Sequence, residues 1–161
     1  MINKFNLLFI TFFNIGKIKS APGTVASLIT CLLFLLFSNL FNIVILFFCT
    51  LLIALYSFIA INNSFDYFDS SDPQEIVIDE VVGQMLPLLA IPIYETLYNA
   101  PEEYYCIAAF IFFRLFDIWK PFPINYIDKN TEGSLGIMLD DILAGIYTII
   151  ILIVIFFFMG A

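Results

Sequence analysis

The sequence contains no histidine, and only 6 of its 161 residues are lysine or arginine. The missing imidazole excludes a hydrolase built on a histidine base and argues against zinc or copper. With a net charge of −8, the chain lacks the basic face that a nucleic-acid partner needs. The same charge argues against simple electrostatic adhesion to anionic lipid. Cysteine is scarce: Cys31, Cys49 and Cys106 lie inside apolar runs without a CxxC pair and read as small buried hydrophobes. No cysteine stands at the spacing of a Cys-x5-Arg phosphatase. DYFDS at 66–70 has the wrong spacing for an aspartyl-nucleophile motif, and no GxxxxGKS or GxxxxGKT phosphate loop is present.

What is abundant is grease. Hydrophobic residues make up 62% of the chain, 20 of them Phe, and mean hydropathy is +1.02. Charged residues are 12%, against about 25% in a soluble domain that is about 45–50% apolar. These values indicate an all-α, multihelical integral membrane bundle with four to five apolar helices, and the length indicates one domain over residues 1–161. The apolar segments are 25–37, 43–61, 81–94, 104–113 and 142–159. The first is short for a span unless it recruits residues 21–24 and Ser38. Pro87 and Pro92 should kink the third. MINKFNLLFITFF reads as an interfacial helix, not a removed signal peptide, because no small-residue cleavage site follows it.

Basic residues set the orientation. With five crossings, Lys4, Lys17, Lys19, Arg114, Lys120 and Lys129 all fall on one side, the cytoplasmic one. The acids at 66–80, 117–132 and 140–141 fall there too, and only Glu95, Glu102 and Glu103 lie opposite.

Three acidic clusters stand at the ends of apolar segments. In SDPQEIVIDE, Asp72 reads as a helix N-cap before Pro73, placing Asp72, Glu75 and Asp79 on one helix face. Capping does not account for Asp79 and Glu80, which open an apolar run where ionised groups are costly. In FFRLFDIWKP, Arg114, Asp117 and Lys120 recur every third residue on a helix that Pro121 ends. In GIMLDDILAG, Asp140 and Asp141 open the last span, and Ala144 and Gly145 one turn on leave room beside them. Taken singly, each cluster is also what a solvated helix end or a local ion-pair ladder looks like.

Bundling would gather Glu75, Asp79, Glu80, Asp117, Asp140 and Asp141 at one membrane face. Two cations, Arg114 and Lys120, cannot neutralise six acids, whereas a divalent metal can. The all-oxygen ligand set points to Mg²⁺, with Mn²⁺ as substitute. An acidic site with one Arg and one Lys suits a phosphorylated substrate bridged by the metal. In GKIKSAPGT, Lys19 and the turn leading to Thr24 are candidates for holding an anion at a helix start.

The blocks SAPGT, DPQEIVIDEVVG, FRLFDIWKPFPI and GIMLDDILAG, in that order, resemble the phosphatidylglycerophosphatase A family over about residues 14–150. The resemblance implies a Mg²⁺-dependent enzyme of the bacterial inner membrane. It would hydrolyse the terminal phosphate of phosphatidylglycerophosphate, giving phosphatidylglycerol and phosphate. It carries over Asp72, Glu75, Asp79, Glu80, Arg114, Asp117, Lys120, Asp140 and Asp141. Departures fall at Ser71, Gly133-Ser134 and Val25-Ala26, in turns and not at the carboxylates.

The expected site then has Asp72, Glu75, Asp79, Asp117, Asp140 and Asp141 as metal ligands and Asp79 or Glu80 as base toward water. Arg114 and Lys120, with Lys19 and Thr24, would hold the phosphate of a phospholipid. The alternative from another class, a divalent-cation channel or transporter with an acidic vestibule, calls for acids within the spans or at both mouths. A structural membrane subunit would not need Arg114 and Lys120 interleaved with acids. A phosphatase for a different lipid phosphate stays open.

Overall fold

The computed structural model describes residues 4–68 and 73–160. Among them are eight α-helices, two short 3-10 turns and no strand. The helices are α1 (Lys4–Ile10), α2 (Pro22–Ser38), α3 (Ile43–Asn62), α4 (Ile78–Leu89), α5 (Ile91–Leu97), α6 (Glu102–Trp119), α7 (Ile124–Asn130) and α8 (Gly133–Gly160).

Local chemistry marks most of the ends. Pro22 opens α2 at a first-turn position, where its missing N–H costs nothing. Asn42 caps α3, its side chain accepting from the Val44 N–H at 2.9 Å. Lys120 closes α6 in the left-handed region (φ 46°) just before Pro121. Pro87 lies inside α4 and Pro92 opens α5, so the chain breaks at Ala90 into two helices. The expected kink is therefore a full break.

The helices run between two ends of the bundle. The first turns of α2 and α4 meet, since a Cβ on Gly23 would lie 1.8 Å from Glu80 Oε1. Ser38 and Phe41, at the other end of α2, line a small cavity with Glu95 and Glu102. Gly160 closes α8 against the Leu97 carbonyl. So α2, α3, the α4–α5 pair, α6 and α8 make five passes, three leaving the acidic end and two returning to it. α3 and α8, with 20 and 28 residues and mean hydropathy 2.7 and 2.9, are long and apolar enough to cross a membrane. α2 reaches 17 residues, about 26 Å, by taking in Pro22–Thr24 and Ser38. Large apolar side chains such as Leu32, Phe48, Leu52, Ile111 and Ile150 face outward, as a bilayer solvates and water does not. At the far end Phe156 packs among Tyr94, Tyr98, Tyr104 and Tyr105, with an edge contact to Tyr105 at 5.1 Å. α1, the expected interfacial helix, lies on α3 with Asn6 accepting from Tyr56.

Two helix boundaries differ from the sequence reading. α4 begins at Ile78, not at Pro73. Residues 73–76 form a turn, closed by Ile76 N–H on the Pro73 carbonyl at 3.0 Å. Val77 then donates to the Ile10 carbonyl at 3.0 Å, and that tertiary bond, not a local cap, sets where α4 starts. Glu75 consequently sits in the turn and does not share a helix face with Asp79. Asp72 lies outside the described residues. The second difference is α8, which begins at Gly133, so Asp140 and Asp141 lie two turns inside it and do not open it. Residues 133–139, GSLGIML, include two glycines and a serine, so packing against α7 and not intrinsic propensity holds this stretch helical.

α4 and α8 cross closely. A Cβ on Gly145 would lie 2.5 Å from the Gly83 carbonyl, and one on Gly83 would lie 2.7 Å from the Asp141 carbonyl. Small residues let helix backbones approach in this way. The room expected beside Asp140 and Asp141 is thus filled by α4 itself. Gly83 and Gly145 each lie one turn past Asp79 and Asp141, so the crossing fixes the distance between those carboxylates. Gly145→Leu should push α4 off α8. Any turnover that the acidic end supports should fall by about 10²-fold, as for misplaced catalytic groups, with unchanged protein in the membrane fraction. Retained activity would show that the crossing does not set the site.

Candidate active site

Four elements bring charge to one end of the bundle. The first turn of α4 supplies Asp79 and Glu80, the end of α6 supplies Arg114, Asp117 and Lys120, α7 supplies Asp128, and α8 supplies Asp140 and Asp141. All eight line one cleft of about 480 Å³. Carboxylate oxygens of Asp79, Glu80 and Asp141 lie within 4.8 Å of one another.

The cations are held by specific acids. Arg114 NH1 is 2.5 Å from Asp117 Oδ2, one turn along α6. That contact is off the hydrogen-bond axis, so Arg114 Nε and NH1 have no hydrogen-bond partner among the described residues. Lys120 does not continue a ladder on α6. Its left-handed backbone turns the side chain away to Asp128 (2.5 Å) and Asp140 (2.7 Å). Burial disfavours its charge, but the bonds to Asp128 and Asp140 outweigh that and hold the ammonium above its ordinary pKa. Tyr147 of α8 donates to the Phe122 carbonyl at 3.0 Å, pinning the segment that leads into α7.

The acids are not balanced. Asp79, Glu80, Asp117, Asp128, Asp140 and Asp141 give six carboxylates against the two cations Arg114 and Lys120. Lys129 and Glu132, also on the cleft, offset each other. Asp79 Oδ1, Glu80 Oε2, Asp140 Oδ1 and Asp141 Oδ1 are buried without a hydrogen-bond partner among the described residues. Buried polar atoms of this kind need an explanation, and an ion is a standard one. Hard oxygen donors clustered at this spacing fit a small divalent cation of the Mg²⁺ type. Asp79, Glu80 and Asp141 could hold it, with Asp117 and Asp140 alongside.

The residues singled out in the sequence separate into two groups. Asp79, Glu80, Arg114, Asp117, Lys120, Asp140 and Asp141 share the cleft. Glu75 and Lys19 do not. They line a separate surface hollow with Gly16, Lys17 and Pro22. Thr24 lines neither, and Asp72 lies outside the described residues. The turn at Pro22-Gly23 does face an anion, but the anion is the chain's own Glu80 carboxylate, packed on Gly23 at the positive end of α2.

Two features escaped the sequence reading. Asp128 gives no periodic signal, because Pro121 and Pro123 separate its seven-residue helix from α6. Gln84 is wholly buried one turn below Glu80, with neither amide atom paired among the described residues. Its signal was the one uncharged polar residue in an otherwise apolar run, four places after Glu80.

Comparison with known proteins bears on this geometry. A Bacteroides thetaiotaomicron protein provisionally named phosphatidylinositol-3-phosphatase is 36% identical over 147 residues, 89% of each chain. A Haemophilus influenzae phosphatidylglycerophosphatase A is 36% identical over 160 residues, 99% of this chain and 93% of that one. An Escherichia coli phosphatidylglycerophosphatase A is 41% identical over 75 residues, 47% of this chain and 40% of the other. No solved structure matches the chain. The Phosphatidylglycerophosphatase A family profile matches residues 8–156, which takes in every cleft residue described above, and the chain belongs to that family.

Proposed function

We propose that this chain is a Mg²⁺-dependent phosphatase that removes the terminal phosphate of phosphatidylglycerophosphate at the cytoplasmic face of the bacterial inner membrane. Family membership makes it a lipid phosphatase. The observation that supports the finer reading is the cluster of Asp79, Glu80 and Asp141 oxygens within 4.8 Å, facing Arg114 and Lys120 at the end of an apolar bundle. A lipid held by its acyl chains among those helices presents its phosphate at that level. Lys17, Lys19, Arg114, Lys120 and Lys129 lie at the same end, and Glu95, Glu102 and Glu103 at the other, and by the positive-inside rule this distribution supports a cleft that faces the cytoplasm.

The residues divide the work. Asp79, Asp117, Asp140 and Asp141, with Glu80 beside them, are the acids that would hold Mg²⁺. When bound, that ion would screen the phosphate's charge from these acids and draw electrons from the phosphorus. Arg114, paired with Asp117 and lining the cleft, would offset charge on the phosphoryl oxygens. Lys120 adds a second positive charge whose position Asp128 and Asp140 fix. Asp79 or Glu80 takes the proton of the attacking water, and in-line displacement releases inorganic phosphate and an alkoxide that takes up that proton to leave as the lipid alcohol.

The provisional name of the Bacteroides relative favours one second reading, a phosphoinositide substrate. Assaying the purified protein on both lipids, with and without Mg²⁺, separates the two. The expected result is release from phosphatidylglycerophosphate alone, abolished by chelation and restored by Mg²⁺ or Mn²⁺. Activity that survives complete chelation would remove the metal from the reading.

Asp79→Asn, Asp117→Asn and Asp141→Asn should each lose about 10²-fold or more in turnover while remaining in the membrane fraction. Near-normal rates from all three would defeat the site assignment. Lys120→Met should cost about 10²-fold in kcat. Asp128→Ala should cost less than about tenfold, because Asp140 still holds the ammonium. An equal loss in the two would mean that Asp128 contributes more than the position of Lys120.

A further inference from the structure

α2 and α3 are consecutive and antiparallel, joined by residues 39–42, yet they barely touch. α2 packs instead on α4 and α6, and α3 on α4, α8 and α1. The gap between them is a groove of about 320 Å³ floored by α4 through Val81 and Met85. Its walls include Thr30 and Leu33 of α2 and Cys49 and Thr50 of α3. Both threonine hydroxyls are committed to their own helices, Thr30 to the Ala26 carbonyl and Thr50 to the Leu46 carbonyl, each at 2.8 Å. Water held in a cavity needs two to four polar partners, and with both hydroxyl protons committed this lining offers only residual acceptors in an otherwise apolar wall, so the groove calls for an apolar occupant. Leu33 and Cys49 are exposed on its rim, which opens it sideways to lipid.

Position and width select the occupant. Val81 follows Glu80 directly, so the floor of the groove starts at the level of the acidic cleft. Met85 lies one turn deeper, and Phe41 and Leu46, also on the lining, belong to the far end. A helix about 10 Å across is too thick for a groove of this volume, whereas a single alkyl chain is not. We propose that this groove seats one acyl chain of the substrate, entering from the bilayer, and thereby registers the lipid's phosphate over Asp79, Glu80 and Asp141. The second chain stays in the bilayer. This rests on reading the cleft as a lipid-phosphate site.

Cys49→Trp and, from the opposite wall, Leu33→Trp fill the groove at exposed positions and leave the cleft untouched. Each is assayed on a long-chain phosphatidylglycerophosphate in mixed micelles and on its water-soluble short-chain analogue. Both variants should raise KM for the long-chain lipid about tenfold, with kcat kept and short-chain kinetics unchanged. Unchanged long-chain KM in both variants, or an equal loss on both substrates, overturns the groove assignment. Efficient Cys49–Cys49 cross-linking between two copies, insensitive to added lipid, overturns it in favour of a second chain as occupant. Wild-type protein inert toward both substrates would instead refute the phosphatase reading, so the two failures are distinguishable.

Discussion

The repulsion among clustered carboxylates at the end of an apolar bundle is the constraint that shapes this protein. Asp79, Glu80 and Asp141 place oxygens within 4.8 Å of one another. At an effective dielectric of 20, each such pair of charges repels by about 3 kcal/mol. Nothing in the local sequence would hold them there. The backbone does, because Gly83 and Gly145 let α4 and α8 approach until a Cβ would not fit between them. Helix contact thus works against charge, and the mismatch is what a bound cation and a phosphate would resolve.

The partial counterweights show how the balance is set. Arg114 pairs with Asp117, and Lys120 bridges Asp128 and Asp140 across α7 and α8. Each cation is tied to particular acids, while Asp79, Glu80, Asp140 and Asp141 each keep a buried oxygen without a partner among the described residues. A phosphate is itself an anion and would be expelled by that inner cluster alone. The proposed divalent ion answers both needs, neutralising the acids and attracting the substrate.

The rest of the bundle serves position. The aromatic group around Phe156 ties the far ends of α5, α6 and α8 together. The Val77 to Ile10 hydrogen bond fixes where α4 begins, and so where Asp79 and Glu80 point. The break at Ala90 divides one pass into two helices. The loose pairing of α2 and α3 leaves an apolar groove of about 320 Å³ floored by Val81 and Met85 of α4.

Much of this was legible in the residues. Five apolar runs, the one-sided basic residues and three acidic clusters set the class, the passes and the end at which the charges gather, because burial in lipid tolerates few other patterns. The carboxylates of the cleft were readable as well, apart from Asp128, since charge at the edge of an apolar run is costly without a purpose. What periodicity could not place was whatever depended on contacts between distant segments. Glu75 continued the acidic spacing, yet it fell in a turn because a tertiary hydrogen bond starts the helix later. Asp128 and the turned-back Lys120 met only once α7 lay against α8. Gly145, read as a gap, became the contact itself. Sequence determined which groups are charged and which segments carry them. Tertiary structure alone decided which of them touch, because through-space distance depends on helix packing and not on spacing along the chain.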